Sequence, residues 1–260
     1  MFVWTHLGGN MNTLYFIVPC YNEEAVLPES AKQIKSKLDT LISVGKVSAQ
    51  SRILFVNDGS QDKTWELIHE LHESASCFDG VSLRKNRGHQ NAVMAGLVTA
   101  IRYADLTITL DADLEDDINA VDEMVDKYLS GAQIVCGVRN NRDSDRFLKR
   151  FTAQGYYFLM NLFGAKLIYN HADFRLLSKK AIERLCCYGT DDLFIRGLIT
   201  RLGYPTEKVY YARLPRFAGE SKYTLIKMLR LAVKGFSCGM MKPAASPQIG
   251  ELFIGAELHA

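Results

Sequence analysis

The sequence predicts an α/β protein in which a mainly parallel central sheet is flanked by helices. Short, nearly continuous apolar runs alternate with segments of helical spacing along the first 140 residues. Such runs are typical of strands that are buried on both faces of a parallel sheet. The composition agrees, because 260 residues with 48% hydrophobic and 23% charged side chains fit one large α/β domain or two small ones.

The predicted strands and helices alternate in order. Strands are predicted at 14–19, 52–57, 81–84, 106–110 and 133–138, and helices at 24–44, 63–76, 89–103 and 118–130. The pair Asp58-Gly59 ends the second strand with a turn. Ligands of parallel sheets bind at the carboxyl ends of the strands, so the residues that follow each strand are the candidates for function.

Charge and cysteine usage exclude several classes of protein. The 31 Lys and Arg residues nearly balance the 29 Asp and Glu residues, and a net charge of +2 argues against a nucleic-acid partner. The sequence has no uncharged apolar run of the roughly 18 residues that a bilayer span needs. The six cysteines are scattered and form no CxxC pair, which predicts reduced thiols in a cytoplasmic protein.

Polar residues follow the first three predicted strands. The turn from Pro19 to Glu24 contains an aromatic ring, an amide and carboxylates but no GxGxxG, so it suits a ribose and base better than a dinucleotide pyrophosphate. Asp58 leaves the second strand toward the same crevice, and Asp62 is a predicted N-cap of the next helix. His89 begins a predicted helix near this crevice, where holding the nucleotide and capping the helix are both open roles.

An acidic segment follows the fourth predicted strand. Residues 111–126 contain eight acidic residues and no basic one. The helix dipole accounts for the acids from Glu115 to Asp117, but not for Asp111 and Asp113, which lie where a buried strand ends. Two carboxylates at this spacing repel each other unless a cation joins them. Hard oxygen ligands with open positions predict Mg²⁺ or Mn²⁺ shared with substrate phosphates.

Five motifs in order give the sequence a family resemblance. They are Pro19-x-Tyr21-Asn22-Glu23, Val56-Asn57-Asp58-Gly59-Ser60-x-Asp62-x-Thr64, Asp111-Ala112-Asp113-Leu114, His171-Ala172-Asp173-Phe174-Arg175-Leu176-Leu177, and Arg216-Phe217-Ala218-Gly219-Glu220-Ser221-Lys222-Tyr223. The set resembles family 2 glycosyltransferases with the GT-A fold. The last two motifs look like the polyprenyl-phosphate branch, which includes dolichyl-phosphate mannose synthases and bactoprenol glucosyltransferases. The resemblance covers about residues 11 to 237.

The resemblance implies roles for individual residues on the donor side. The implied nucleotide-binding residues are Pro19, Tyr21, Glu23, Asp58, Asp111 and Ala112. The implied metal ligands are Asp111, Asp113 and Glu115. Glu115 departs from the glutamine that the family commonly has at this position, so it adds negative charge to a site that is expected to receive a diphosphate.

The acceptor side is expected to be basic. A lipid phosphate is largely dianionic at neutral pH and already nucleophilic, so cations that position it matter more than a general base. The predicted acceptor-phosphate residues are Arg139, Arg150, Arg175, Arg216 and Lys222. Asp173 is an alternative partner for Arg175 in a structural ion pair. The group with predicted catalytic roles is Asp113, Arg139, Arg216 and Lys222.

The predicted organisation has four parts. Residues 1–10 form an N-terminal extension, 11–220 the catalytic domain, 221–241 a basic amphipathic juxtamembrane helix, and 242–260 an atypical tail without the transmembrane helices that commonly follow in this branch. Lys227, Arg230 and Lys234 form a cationic stripe that suits an anionic membrane interface, although a docked surface helix is the alternative. The expected location is peripheral, at the cytoplasmic face of the cell membrane.

The predicted activity is inverting transfer of a hexose from a UDP- or GDP-linked sugar to polyprenyl phosphate. Transfer to a saccharide or protein hydroxyl is a second enzyme hypothesis, but it requires a carboxylate base near the acceptor. A truncated nucleotide-sugar binder without turnover is a third. A homo-oligomer is left open, and no nucleic-acid partner is expected.

Overall fold

The structure is a computed structural model that describes residues 11–140, 171–189, 194–213, 242–246 and 254–259. Its strands are β1 Leu14–Cys20, β2 Arg52–Asn57, β3 Phe78–Leu83, β4 Leu106–Thr109, β5 Ile134–Arg139, β6 His171–Ser178, β7 Thr206–Tyr211 and β8 Ile254–Leu258. Its helices are α1 Leu27–Ser43, α2 Thr64–Ser74, α3 His89–Ala100, α4 Ala120–Leu129, α5 Lys179–Cys186 and α6 Ile195–Leu198, with a short 3₁₀ helix at Ile199–Arg201.

The five predicted strands and four predicted helices are confirmed, with boundaries that shift by a few residues. The largest difference among the strands is at β3, which begins at Phe78 rather than at residue 81. Asp79 and Gly80 are residue types typical of turns, yet they pair with Leu54 and Phe55 of β2. Pairing with a neighbouring strand has overridden local propensity at this position.

The eight strands of the described chain form one sheet in the order β7-β5-β6-β4-β1-β2-β3-β8. Strands β1 to β4 run parallel, and so do β5 and β7, whereas β6 is antiparallel to both β4 and β5. The predicted mainly parallel α/β sheet is therefore confirmed. The order reverses between β1 and β4, and such a switch point opens a crevice at the carboxyl ends of the strands.

Helices cover both faces of the sheet. Alternate side chains of β1 enter the two cores, since Tyr15 and Ile17 pack with α3 and α5 while Phe16 and Val18 pack with α1 and α4. Helix α3 is buried along most of its length. Gly96 lets α3 approach the sheet, because a Cβ there would lie 2.9 Å from Val56 Cγ2 and closer still to Ile17 Cγ2.

The described part of the predicted tail adds a strand to the sheet. Strand β8 pairs antiparallel with β3, from Gly80 opposite Leu258 to Leu83 opposite Ile254. Just after β8, His259 Nδ1 lies 2.9 Å from the buried carboxylate of Asp79. The weak pattern of residues 242–260 gives no sign of this strand.

The predicted N-terminal extension and the juxtamembrane helix at 221–241 lie outside the described residues. Within the ranges that are described, no helix is both long and apolar enough to cross a bilayer.

Candidate active site

Parallel strands bring several of the predicted site residues to one edge of the sheet. Tyr21 follows β1, Asp58 follows β2, Asp111 follows β4, and Arg139 ends β5. These strands all deliver their carboxyl ends to the same edge, and β4 lies directly beside β1 at the switch point. His171 begins the antiparallel β6 opposite Val138, and it therefore lies at this edge too.

Backbone and side-chain hydrogen bonds join the loops after β1 and β2. The Asn22 N–H donates to Ser60 Oγ at 3.0 Å, and the Gln61 N–H donates back to Asn22 Oδ1 at 2.9 Å. The Glu23 N–H donates to Thr64 Oγ1 at 2.9 Å. Asn22 has φ 54°, a left-handed conformation that asparagine tolerates better than most residues. The loops after β1 and β2, which carry Tyr21, Glu23 and Asp58, therefore form one unit.

Asp62 adds further hydrogen bonds within and between these two loops. Its Oδ1 accepts from the Thr64 N–H at 3.0 Å and from the Thr64 hydroxyl at 2.6 Å, and its Oδ2 accepts from the Glu24 N–H at 3.1 Å. Asp62 therefore binds the first residue of α2 and also the β1 loop, but the N-cap position of α2 is at Lys63 and not at Asp62 as predicted. Burial would raise the pKa of Asp62, but the bonds from Thr64 and Glu24 outweigh it and lower the pKa below its usual range.

Asp58 holds the loop that precedes α3. Its two carboxylate oxygens accept from the Arg87 N–H at 2.7 Å and the Gly88 N–H at 2.9 Å, and the side chain is buried. Burial raises the pKa of Asp58, and the two backbone donors limit that rise. Gly59 allows the loops to touch, since a Cβ there would lie 2.6 Å from the Lys85 carbonyl carbon. The predicted contact of Asp58 with a nucleotide stays a prediction.

The loop after β4 carries all three predicted metal ligands, Asp111, Asp113 and Glu115. Leu114 has φ 47°, so the chain turns sharply between Asp113 and Glu115. The Ser30 hydroxyl of α1 donates to the Ala112 carbonyl, which fixes the middle of the loop against the helix layer. Part of the Asp111 side chain reaches solvent. Desolvation and nearby carboxylates nevertheless outweigh the charge of His89 and raise the pKa of Asp111 to about 6.

A charged cluster around Asp173 lies next to this loop. Asp173 Oδ1 accepts from the buried Arg175, while Oδ2 accepts from Arg196 at 3.0 Å and Gln90 at 3.3 Å. Burial alone would raise the pKa of Asp173, but Arg196 and Arg175 outweigh it and hold the pKa well below its usual range. The pairing of Asp173 with Arg175, one of two alternatives from the sequence, is present. Arg175 is thus engaged and only 2% exposed, and its predicted acceptor contact stays a prediction.

His89 lies between the Asp173 cluster and the loop after β4. Its Nε2 lies 3.5 Å from Asp173 Oδ2 and 3.7 Å from Asp111 Oδ1. Gly88 takes the N-cap position of α3, so His89 does not cap this helix, and its contact with a nucleotide stays a prediction. Burial would lower the pKa of His89, but the bond to Asp173 and the charges of Asp111 and Asp173 raise it to about 8.

Two arginines at the ends of β5 and β7 bind the buried acids of the loop after β4. Arg139 donates from Nε to Asp116 Oδ1 at 2.8 Å, and the Tyr211 hydroxyl donates to the same oxygen at 2.7 Å. Arg213 donates to Glu115 Oε2 from two nitrogens, one of them Nε at 3.1 Å. Glu115 and Asp116 are both buried. The loop after β4 is thereby fixed to the far half of the sheet.

The remaining predicted residues can be placed in part. Arg150, Arg216 and Lys222 lie outside the described residues. Glu115, a predicted metal ligand, contacts Arg213, and Arg139, a predicted phosphate ligand, contacts Asp116. In the described part of the chain no three His, Cys, Asp or Glu side chains form a metal cluster. The sequence analysis missed the partners Arg196, Arg213 and Tyr211, since each meets its acid only through long-range packing.

The fold and this edge define a glycosyltransferase of the GT-A type. The chain belongs to glycosyl transferase family 2, whose sequence profile matches residues 15–186. It is 45% identical over 230 residues to the uncharacterized glycosyltransferase YkoT of Bacillus subtilis, with 88% of this chain and 68% of the relative covered. It is 33% identical over 222 residues to a prophage bactoprenol glucosyl transferase homolog of Escherichia coli K12, with 85% and 70% covered.

Solved structures share the fold. Glucosyl-3-phosphoglycerate synthase from Mycobacterium tuberculosis, crystallised with Mn²⁺, UDP and phosphoglyceric acid, matches with a TM-score of 0.59 at 16% identity. The match covers 92% of this chain and 86% of that one. Mannosyl-3-phosphoglycerate synthase from Rubrobacter xylanophilus matches with a TM-score of 0.58 at 17% identity, covering 87% and 73%. At this level of identity the matches establish the fold.

Replacing Asp62 tests the support of the two loops. Asp62→Ala removes three hydrogen bonds, and we expect it to lower the free energy of unfolding by about 1–2 kcal/mol at pH 7. The pKa of Asp62 is depressed in the folded state, so its contribution is present above the unfolded value of about 4 and is lost as pH falls through the folded value. The gap in Tm between the two proteins should therefore narrow below about pH 4. Gln61→Ala, at an exposed neighbour, is the control. A gap that widens in acid contradicts this role.

Proposed function

We propose that this glycosyltransferase moves a hexosyl group from a nucleotide-diphosphate sugar to polyprenyl phosphate, with inversion at the sugar and with Mg²⁺ or Mn²⁺. One observation carries the proposal. The aspartate-bearing loop after β4 lies at the switch point of the sheet, and arginines from the ends of β5 and β7 contact this loop. The aspartates suit a donor diphosphate with its metal, and the basic segments beyond the arginines suit an anionic acceptor. The 33% identity to a bactoprenol glucosyl transferase homolog supports this class of acceptor.

The donor-side residues fit a hard divalent cation. Asp111 and Asp113 provide carboxylate oxygens two residues apart, and Glu115 follows on the same loop. Two or three carboxylates leave coordination positions for diphosphate oxygens, which is how Mg²⁺ is commonly held beside a substrate. When bound, the cation would neutralise the diphosphate as a leaving group. Mn²⁺ with UDP in the mycobacterial synthase supports this choice of ion.

The protein's own residues would position the two substrates. Pro19 lies near the end of β1, and Tyr21 and Glu23 lie on the loop that follows it, where these residues would bind the nucleoside. On the acceptor side, Arg139 leads into one basic segment, and Arg216 and Lys222 lie in another. A phosphate dianion attacks without a general base, so orientation by cations would be the main contribution of this side. The hydrocarbon chain of polyprenyl phosphate holds this acceptor in the membrane. The protein would therefore act at the membrane surface, and the proposal places it at the cytoplasmic face.

A donor and acceptor panel tests the function directly. UDP-glucose, UDP-GlcNAc and GDP-mannose are each incubated with short polyprenyl phosphate and Mn²⁺, and products are read by mass spectrometry. We expect one donor to yield a polyprenyl-phosphate hexose. Saccharide acceptors in parallel reactions address transfer to a hydroxyl. Glycosylated saccharide with no lipid product would overturn the proposed acceptor, and donor binding without any product would favour the non-catalytic binder.

Removing one aspartate tests the metal site. Asp113→Ala should abolish metal-dependent nucleotide binding, because a single remaining aspartate holds a divalent ion poorly. Titration calorimetry with UDP or GDP and Mn²⁺ measures the affinity. Asp122→Ala is the matched control, since this acid of the same segment pairs with Lys37 of α1 at 2.7 Å. Unchanged affinity in Asp113→Ala would refute the metal assignment.

Removing the acceptor cations should separate binding from transfer. We expect Arg216→Ala and Lys222→Ala to keep nucleotide affinity but to lose transfer by about 100-fold or more, as oriented charges commonly contribute. Calorimetry gives the affinity, and product formation gives the rate. Lys35→Ala, which removes an exposed lysine paired with Asp39, is the control. Loss of nucleotide affinity in both variants would count against their assignment to the acceptor.

A further inference from the structure

The loop after β4 carries two buried acids, Glu115 and Asp116, in addition to Asp111 and Asp113. Asp111, Asp113, Glu115 and Asp116 lie within six residues. Asp111 and Asp113 are partly accessible, whereas the side chains of Glu115 and Asp116 are only 8% and 3% exposed. A buried carboxylate is costly unless a cation compensates it, and an incoming diphosphate adds further negative charge to the same place.

Arg213 provides the compensation at Glu115. Two of its guanidinium nitrogens converge on Glu115 Oε2, and its side chain is 45% exposed at the end of β7. Asp116 has a separate partner in Arg139, whose Nη2 lies 2.7 Å from Asp116 Oδ1. Each buried acid of the loop thus has its own arginine, and each arginine comes from a different strand end.

We propose that Arg213 is a positioning residue for donor binding, which acts through Glu115. Its guanidinium neutralises Glu115 and fixes the direction of that carboxylate, so that the loop can accept an anionic metal–diphosphate complex. A carboxylate has two oxygens and can contact a guanidinium and a divalent cation together. Arg213 therefore need not leave Glu115 when the donor binds. This inference rests on the function proposed above.

A double-mutant cycle isolates this role. Affinity for the nucleotide that the wild type binds, UDP or GDP with Mn²⁺, is measured by calorimetry for the wild type, Arg213→Gln, Glu115→Gln and the double variant. We expect Arg213→Gln to weaken binding by about 10-fold or more, since it removes a cation that compensates a buried carboxylate. In the Glu115→Gln background the same change should cost less than about 3-fold, as neighbouring residues in one ion pair are not additive.

Further variants keep the test interpretable. Arg213→Lys retains the charge but loses the planar two-nitrogen contact, so it should fall between the wild type and Arg213→Gln. Arg102→Gln is the matched control: Arg102 pairs with Glu257 at 3.7 Å at the opposite edge of the sheet, and its loss should leave affinity unchanged. If Arg213→Gln fails to fold, Arg213→Lys and the double variant, which leaves no buried unpaired charge at residue 115, complete the comparison.

The outcomes separate this inference from the proposed function. An equal loss of affinity in both backgrounds would show that Arg213 acts on the nucleotide itself and not through Glu115, and would overturn the inference alone. So would wild-type affinity in Arg213→Gln. A wild-type protein that binds neither nucleotide with Mn²⁺ or Mg²⁺ would overturn the proposed function and the inference together.

Discussion

Compensation of buried negative charge governs the candidate site. The loop after β4 leaves a buried strand and carries four acids within six residues, so it can hold one conformation only if cations offset part of that charge. Arg139 and Arg213 supply two of these cations, and both come from strands in the other half of the sheet. The positions of β5 and β7 in the sheet therefore allow two arginines to compensate the buried acids of this loop.

The same constraint explains why the structural and functional residues are interleaved. Asp62 and Asp58 use their carboxylates to bind backbone N–H groups, which fixes the loop after β1 and the loop before α3. Asp173 uses its carboxylate to bind Arg175, Arg196 and Gln90 beside the loop after β4. Carboxylates of the same chemistry thus have two roles here. Some hold the segments that border the crevice and others face into the crevice, and the hydrogen-bond donors around each acid decide between these roles.

The sequence predicts the first five strands and their helices well, because parallel strands that are buried on both faces have nearly continuous apolar sequences. The sequence does not predict the start of β3, because Asp79 and Gly80 are residue types typical of a turn. Residues 171–177 are identified as a motif, but the sequence does not show that they form the antiparallel strand β6. It also predicts which loops meet at one edge. It does not predict that Glu115 meets Arg213, 98 residues away, because no local pattern encodes an ion pair across a sheet.

Strand β8 has a consequence for the solution behaviour of the protein. Without it, β3 would be the outer strand and would present a row of unpaired backbone groups to other chains. The pairing of β8 with β3, secured by His259 against Asp79, occupies those groups. If this short segment detached, the backbone groups of β3 could pair with the sheet of a second molecule. The presence of β8 therefore protects the enzyme from self-association through its sheet.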